Sequence, residues 1–162
     1  MRRLLPLVVL AALSGCGLKP IYGGGPGNAA VQGLAAIEVS QMPGRAGWLM
    51  SKALNDRLAA AGSDAARYRL DVRLDDELEG LGLLNDDTIG RERRTLRARY
   101  QLVELETGAI LLDATAGSDA GIDVVSSEYA TIAAEQSALE RLTEEVADQI
   151  VTRVSLALRD AQ

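Results

Sequence analysis

The chain has 162 residues, 48% of them apolar, and carries 17 basic against 23 acidic side chains for a formal charge of −6. Having no histidine and a single cysteine, it excludes Cys/His metal sites and histidine-based nucleophilic triads, and its acidic balance argues against general binding of nucleic acid. Phe is absent and Trp occurs once, so Leu, Val, Ile and Ala must build the core.

Arg2 and Arg3 precede the apolar stretch Leu4 to Leu13, the charged and apolar regions of an export signal. The stretch closes on Leu13-Ser14-Gly15-Cys16. This ending looks like a bacterial lipobox, in which small residues before the cysteine suit a lipoprotein signal peptidase and the thiol accepts a diacylglycerol. Residues 1–15 are then signal peptide, and the mature chain begins at acylated Cys16. The competing readings are a Sec signal with a coincidental free cysteine, or a membrane anchor. The apolar run is far short of the roughly 20 residues that a span requires, and a lone thiol in an oxidising compartment is a liability. Two or three acyl chains hold a protein firmly at about 0.8 kcal/mol per buried CH₂, which puts the domain on a membrane surface facing the periplasm. Gly17 follows the cysteine, rather than the Asp that retains lipoproteins in the inner membrane of enteric bacteria, so the outer membrane is expected. Loss of Arg2 and Arg3 leaves 15 basic against 23 acidic residues, a charge of −8.

Residues 16–33 are rich in glycine around Gly23-Gly24-Gly25-Pro26-Gly27 and read as a flexible tether; Ile21 and Tyr22 leave open a docked strand instead. Residues 34–162 then form a single domain. Ala35 to Ser40 predicts a strand with Ile37 and Val39 on one side. From Arg45 to Ala61, apolar Gly47, Met50, Leu54, Leu58 and Ala61 recur at helical spacing, with Gly62 as terminator. Trp48 lies off that stripe, either covering the sheet edge or anchoring an interface.

Ala66 to Asp76 alternates Tyr68, Leu70, Val72 and Leu74 with charged residues, the pattern of a strand wet on one face. After a loop through Leu83 to Asp87, a second long strand is predicted from Arg91 to Leu105, with Leu96, Ala98, Tyr100 and Leu102 facing the core. Glu106-Thr107-Gly108 turns it into Ala109 to Ala116. From Ser126 onward Gly and Pro are absent, and Leu139, Leu142, Val146, Ile150, Val154 and Leu158 mark one helix capped by Ser126 or Ser127. At 1.5 Å per residue it would be about 45 Å long, so it should overhang the sheet or bend. The order β-α-β-β-β-α predicts an α+β two-layer sandwich, an antiparallel sheet with both helices on one face.

Asp86-Asp87 and Asp75-Asp76-Glu77 lack the spacing of a calcium loop and lie at or beside a turn, where solvated acids are ordinary. No glycine-rich strand-to-helix turn offers a phosphate site. The chain therefore reads as a non-enzyme without metal or cofactor. One charge pattern stands out: on the wet side of the two long strands lie Arg67, Arg69, Arg73, Arg91, Arg93, Arg97 and Arg99. They are either a solvated face paired to Asp71 and Asp75 across strands or a surface for an anionic partner, phosphorylated lipid headgroups or an acidic protein wall.

The ordered set of Cys-Gly-Leu-Lys-Pro-Ile-Tyr-Gly at Cys16, Arg94-Thr95-Leu96-Arg97-Ala98-Arg99-Tyr100-Gln101-Leu102, the turn Thr107-Gly108, and Tyr129 to Ala138 leading into the last helix resembles the lipopolysaccharide-assembly lipoprotein family, LptE, in its alphaproteobacterial form. The resemblance implies an outer-membrane lipoprotein that plugs the LptD β-barrel, assists its assembly and helps deliver lipopolysaccharide to the outer leaflet. It gives the arginines two candidate anions, lipid A phosphates and the barrel's inner wall, although no family motif maps onto them. Leu83-Leu84 at the loop tip either touches acyl chains or barrel, or packs back on the core. Two other classes remain: an auxiliary lipoprotein of a phospholipid-transporting ABC system, and a structural envelope lipoprotein.

Overall fold

The computed structural model describes residues 29–83 and 89–160. In chain order these form α1 (Ala29–Ala35), β1 (Ile37–Val39), α2 (Gly44–Ala59), β2 (Tyr68–Leu83), β3 (Ile89–Glu104), β4 (Ile110–Asp123) and α3 (Glu128–Asp160). The architecture is α+β, a four-stranded sheet in the order β1-β2-β3-β4 with helices packed against it. The expected signal peptide, Cys16 as its expected acylation site, and the following residues to 28 lie outside the described residues, as do Leu84, Asp86 and Asp87. Residues 29–33, expected at the end of a tether, begin α1, and Leu34 in that helix is buried.

The sheet differs from the expected all-antiparallel arrangement at one edge. β1 pairs with β2 in parallel, Ile37 opposite Tyr68 and Val39 opposite Leu70. The reason is the connection: a helix between two neighbouring strands returns the chain to the end from which it started, so the second strand runs the same way. β2, β3 and β4 are joined directly and pair antiparallel. The β3–β4 turn closes with the Gly108 N–H donating to the Glu104 carbonyl at 2.8 Å, and Gly108 has φ +70°, a conformation that glycine adopts without the cost a Cβ brings.

β2 and β4 run further than alternation alone suggests, to Leu83 and Asp123. Residues 75–83 are acidic and glycine-rich, and residues 117–121 contain two glycines; neither segment favours a strand intrinsically. Both are held by β3, which pairs with Gly80 through Glu92 and with Gly121 through Arg93.

All six stripe residues of the last helix, Leu139 to Leu158, are buried against the sheet and the other helices. Facing them, Leu96, Ala98, Tyr100 and Leu102 line the centre of the core. The helix begins where Ser127 Oγ accepts a bond from the Ala130 N–H at 3.4 Å, with Glu128 in the first turn, the placement that offsets the positive end of a helix dipole. α2 seats its Gly47 against Met42 so closely that a Cβ would come within 2.7 Å of the Met42 carbonyl carbon. Arg57 clamps α2 to α3 through Asp148 at 2.6 Å and the Glu144 carbonyl at 3.1 Å. At the far end of the sheet, Gly33 of α1 packs on Leu158. Among the described residues, no helix is long and apolar enough to cross a membrane.

Candidate functional site

With the helices all gathered on one face, the other face of β2, β3 and β4 is open to solvent. Odd-numbered residues of these strands occupy it, since the register pairs odd with odd across β2–β3 and, up to the irregularity at Leu102/Val103, across β3–β4. Arg69, Arg73, Arg91, Arg93, Arg97 and Arg99 all lie on this face, and Arg67 sits immediately before β2. The parity that collects the arginines also collects Asp71, Asp75, Glu77, Glu79, Asp113, Asp119 and Asp123. The face is therefore banded rather than uniformly basic, with the arginines of β3 in the middle and acids on both flanks.

Most of the arginines are committed to that banding. Arg69 holds Asp71 at 2.9 Å, Arg91 holds Asp123 at 3.1 Å, Arg99 holds Asp113 at 3.1 Å, and Arg93 approaches Asp119 at 3.8 Å. The hydrogen bonds from Asp71 and Asp113 raise the pKa values of Arg69 and Arg99 above the ordinary guanidinium value. In return, the Arg99 guanidinium, followed by the Gln101 amide, holds the Asp113 carboxyl below the ordinary carboxylate value. Arg67 lies over the Tyr68 ring, 5.3 Å from its centroid, a cation–π contact.

Arg73 and Arg97 are different: among the described residues neither has a carboxylate within ion-pairing distance. Arg73 stands directly opposite Arg99, a like-charge cross-strand pair that is unfavourable by itself. The two line an open groove of about 520 Å³ with Ser40, Gln41, Asp71 and Gln101. Arg97 lies over Gly117, where the missing side chain leaves room for its stem, and borders a second groove of about 300 Å³ with Thr95, Thr115, Ser118 and Asp119. Each groove offers one uncommitted guanidinium and a few neutral donors. That chemistry suits a phosphate or carboxylate oxygen.

Sequence reasoning did not identify the innermost ion pair. Arg94 has even parity, so it points under the helices, where it donates to both carboxylate oxygens of Asp76 at 2.8 and 2.7 Å and to the Glu135 carbonyl at 3.1 Å. An arginine at a core-facing position of an alternating strand was the available signal. A second unanticipated contact joins α3 to the outer edge of β4. The Gln149 amide donates to the Gly117 carbonyl at 3.3 Å and accepts from its N–H at 3.4 Å, standing in for one residue of a neighbouring strand. Trp48 is 64% exposed on α2.

A family model described as LptE, lipopolysaccharide-assembly, matches residues 32–154, more than half of the chain. No curated protein sequence matches. Among solved structures, a protein described as a lipoprotein from Caulobacter crescentus superposes with a TM-score of 0.70 at 26% identity, over 83% of this chain and 98% of that one. Rare lipoprotein B from Shewanella oneidensis gives 0.59 at 12% identity, covering 78% and 96%. A minor lipoprotein from Acinetobacter baumannii gives 0.56 at 16%, covering 74% and 88%; these last two show the fold alone.

Proposed function

The chain belongs to the LptE lipopolysaccharide-assembly family of envelope lipoproteins, which is non-enzymatic, and from that membership we propose that it plugs an outer-membrane LptD β-barrel and helps deliver lipopolysaccharide to the outer leaflet. In this reading Cys16 carries the acyl anchor, the residues between it and α1 tether the domain to the periplasmic face of the outer membrane, and the barrel and lipopolysaccharide are the partners. The family match is the observation that carries it. The open sheet face supports the lipopolysaccharide part: six arginines gather there, and Arg73 and Arg97 each stand without a carboxylate partner among the described residues, beside a polar groove able to take an anionic oxygen. Neutralisation of most of the other guanidiniums by neighbouring carboxylates limits long-range attraction, so an anion would be held by short contacts at these two positions.

Affinity isolation of the full-length, C-terminally tagged protein from mild-detergent envelope extracts tests the reading. A large outer-membrane barrel in about one-to-one ratio is the expected outcome; ABC-transport components, or no stoichiometric partner, would replace it with the auxiliary or structural alternative. The arginine face is tested by Arg97→Glu combined with Arg99→Glu. The double variant should fold and melt as a single species while losing most of its binding to lipopolysaccharide, and undiminished binding by a folded variant removes the face from the mechanism.

A further inference from the structure

The helical layer covers the sheet unevenly. α2 starts at Gly44, and Arg45 in its first turn meets Glu140 of α3 at 3.3 Å. From there toward its C-terminus α3 is covered, and Thr143, Ala147, Ile150 and Val154 along its α2-facing side are buried. Continued toward the N-terminus, the same side of the helix passes through Gln136, Ile132 and Tyr129. Here the covering stops: Ile132 is 42% and Tyr129 89% exposed. Val125, just before the helix, is 49% exposed, and it is tied to this end by its N–H donating to Thr131 Oγ1 at 3.3 Å.

The sheet forms the other side of this uncovered end. Leu78, 44% exposed, has helix-facing parity and is the cross-strand neighbour of Arg94, whose guanidinium reaches the Glu135 carbonyl one turn along from Ile132. Four of the seven large apolar side chains exposed among the described residues thus belong to this one end of the molecule. Scattered exposed apolar residues need no explanation, but a cluster rimmed by charge marks an interaction site.

The rim identifies the occupant. Arg91, Arg93 and Arg94 at this end are already bound to Asp123, Asp119 and Asp76. On the helix side of this end, Glu92, Glu128 and Glu135 have no ion-pair partner among the described residues, and Glu92 Oε2 is buried without a donor. An apolar centre with a surplus of carboxylates repels phosphorylated lipid and anionic membrane, and attracts an apolar segment flanked by cations.

We propose that the shelf formed by Leu78, Val125, Tyr129 and Ile132 docks a partner protein through an apolar segment flanked by lysine or arginine, leaving the open sheet face for anions. The choice of partner rests on the barrel reading above; the chemistry of the surface does not. Such a segment would extend the α2 layer over the bare end of α3 and bring its cations against the Glu128 and Glu135 carboxylates.

The test uses the full-length acylated protein in its own envelope, with the photo-reactive residue p-benzoylphenylalanine at position 132 and, as comparison, at position 73. Position 132 should cross-link to a single protein, the barrel, through a peptide carrying apolar residues beside lysine or arginine. Tyr129→Ala with Ile132→Asp, both at exposed positions, should reduce the co-isolated barrel at least tenfold while the thermal melt and binding to lipopolysaccharide vesicles stay unchanged. If the barrel co-isolates undiminished and cross-links only from position 73, the shelf proposal falls and the barrel reading stands. If no barrel is found with the unaltered protein, the barrel reading falls; an adduct at position 132 with another protein through a cation-flanked apolar segment then supports the shelf, and no protein adduct there overturns it. Loss of vesicle binding in the double variant also overturns it, since the shelf would then be a lipid site.

Discussion

The two faces of the sheet use arginine in opposite ways. Arg94 and Arg97 are three residues apart on β3, yet one lies beneath the helices and the other in open water. The Arg94–Asp76 pair is largely desolvated, with side chains 16% and 23% exposed, and it bonds α3 as well as β2. The Arg99–Asp113 pair on the open face has Arg99 68% exposed. In the first case a lost partner leaves an under-solvated charge; in the second, water replaces the partner. Interactions of similar length therefore have different consequences, and the difference comes from solvent access rather than from bond geometry.

The largest effect that would sharpen this contrast is apolar. Leu96→Ala, at a fully buried position between Asp76 and Ser118 in the register, should lower stability by about 2–5 kcal/mol through lost burial and the cavity left behind; urea denaturation measures it. Arg94→Ala should follow at about 1–3 kcal/mol, because Asp76 keeps its charge without a partner and the Glu135 carbonyl loses a donor. If this variant is no less stable than wild type, the distinction between the two faces fails.

Arg99→Ala should be the mildest, leaving the urea midpoint almost unchanged. Its signature lies in titration instead. The Asp113 carboxyl is held below the ordinary aspartate value of 3.8, chiefly by Arg99; a folded-state pKa below the unfolded one gives stability that is present above about pH 4 and is lost as pH falls through the lowered value. Carbon-detected NMR of Asp113 should therefore show its pKa rising toward the ordinary value in Arg99→Ala. No movement would mean that the crossed pair does not persist in solution.

Much of the fold was legible because alternation and helical spacing report burial directly. Tyr68, Leu70 and Val72, then Leu96 to Leu102, then Leu139 to Leu158 are the residues that fill the core. Local sequence was less informative where partners supply the stabilisation. Residues 75–83 and 117–121 are strands only because β3 lies between them, and α1 is a seven-residue helix packed against α3, although its first five residues were expected to belong to a tether. The arginine face shows the same limit: parity placed the side chains, but counting arginines along the chain did not reveal that carboxylates of β4 would arrive beside them.

The sequence by itself determined the α+β class, the two long strands and the last helix, because periodic burial is written in the order of residues. It also carried the family resemblance, since that depends on ordered motifs and not on their contacts. Only the tertiary structure decided the parallel pairing of β1, the separation of Arg73 and Arg97 from carboxylates among the described residues of the open face, and the exposed apolar end of α3. Each depends on what lies beside a residue in space, and neighbours far apart in the chain are brought together by packing, not by local preference.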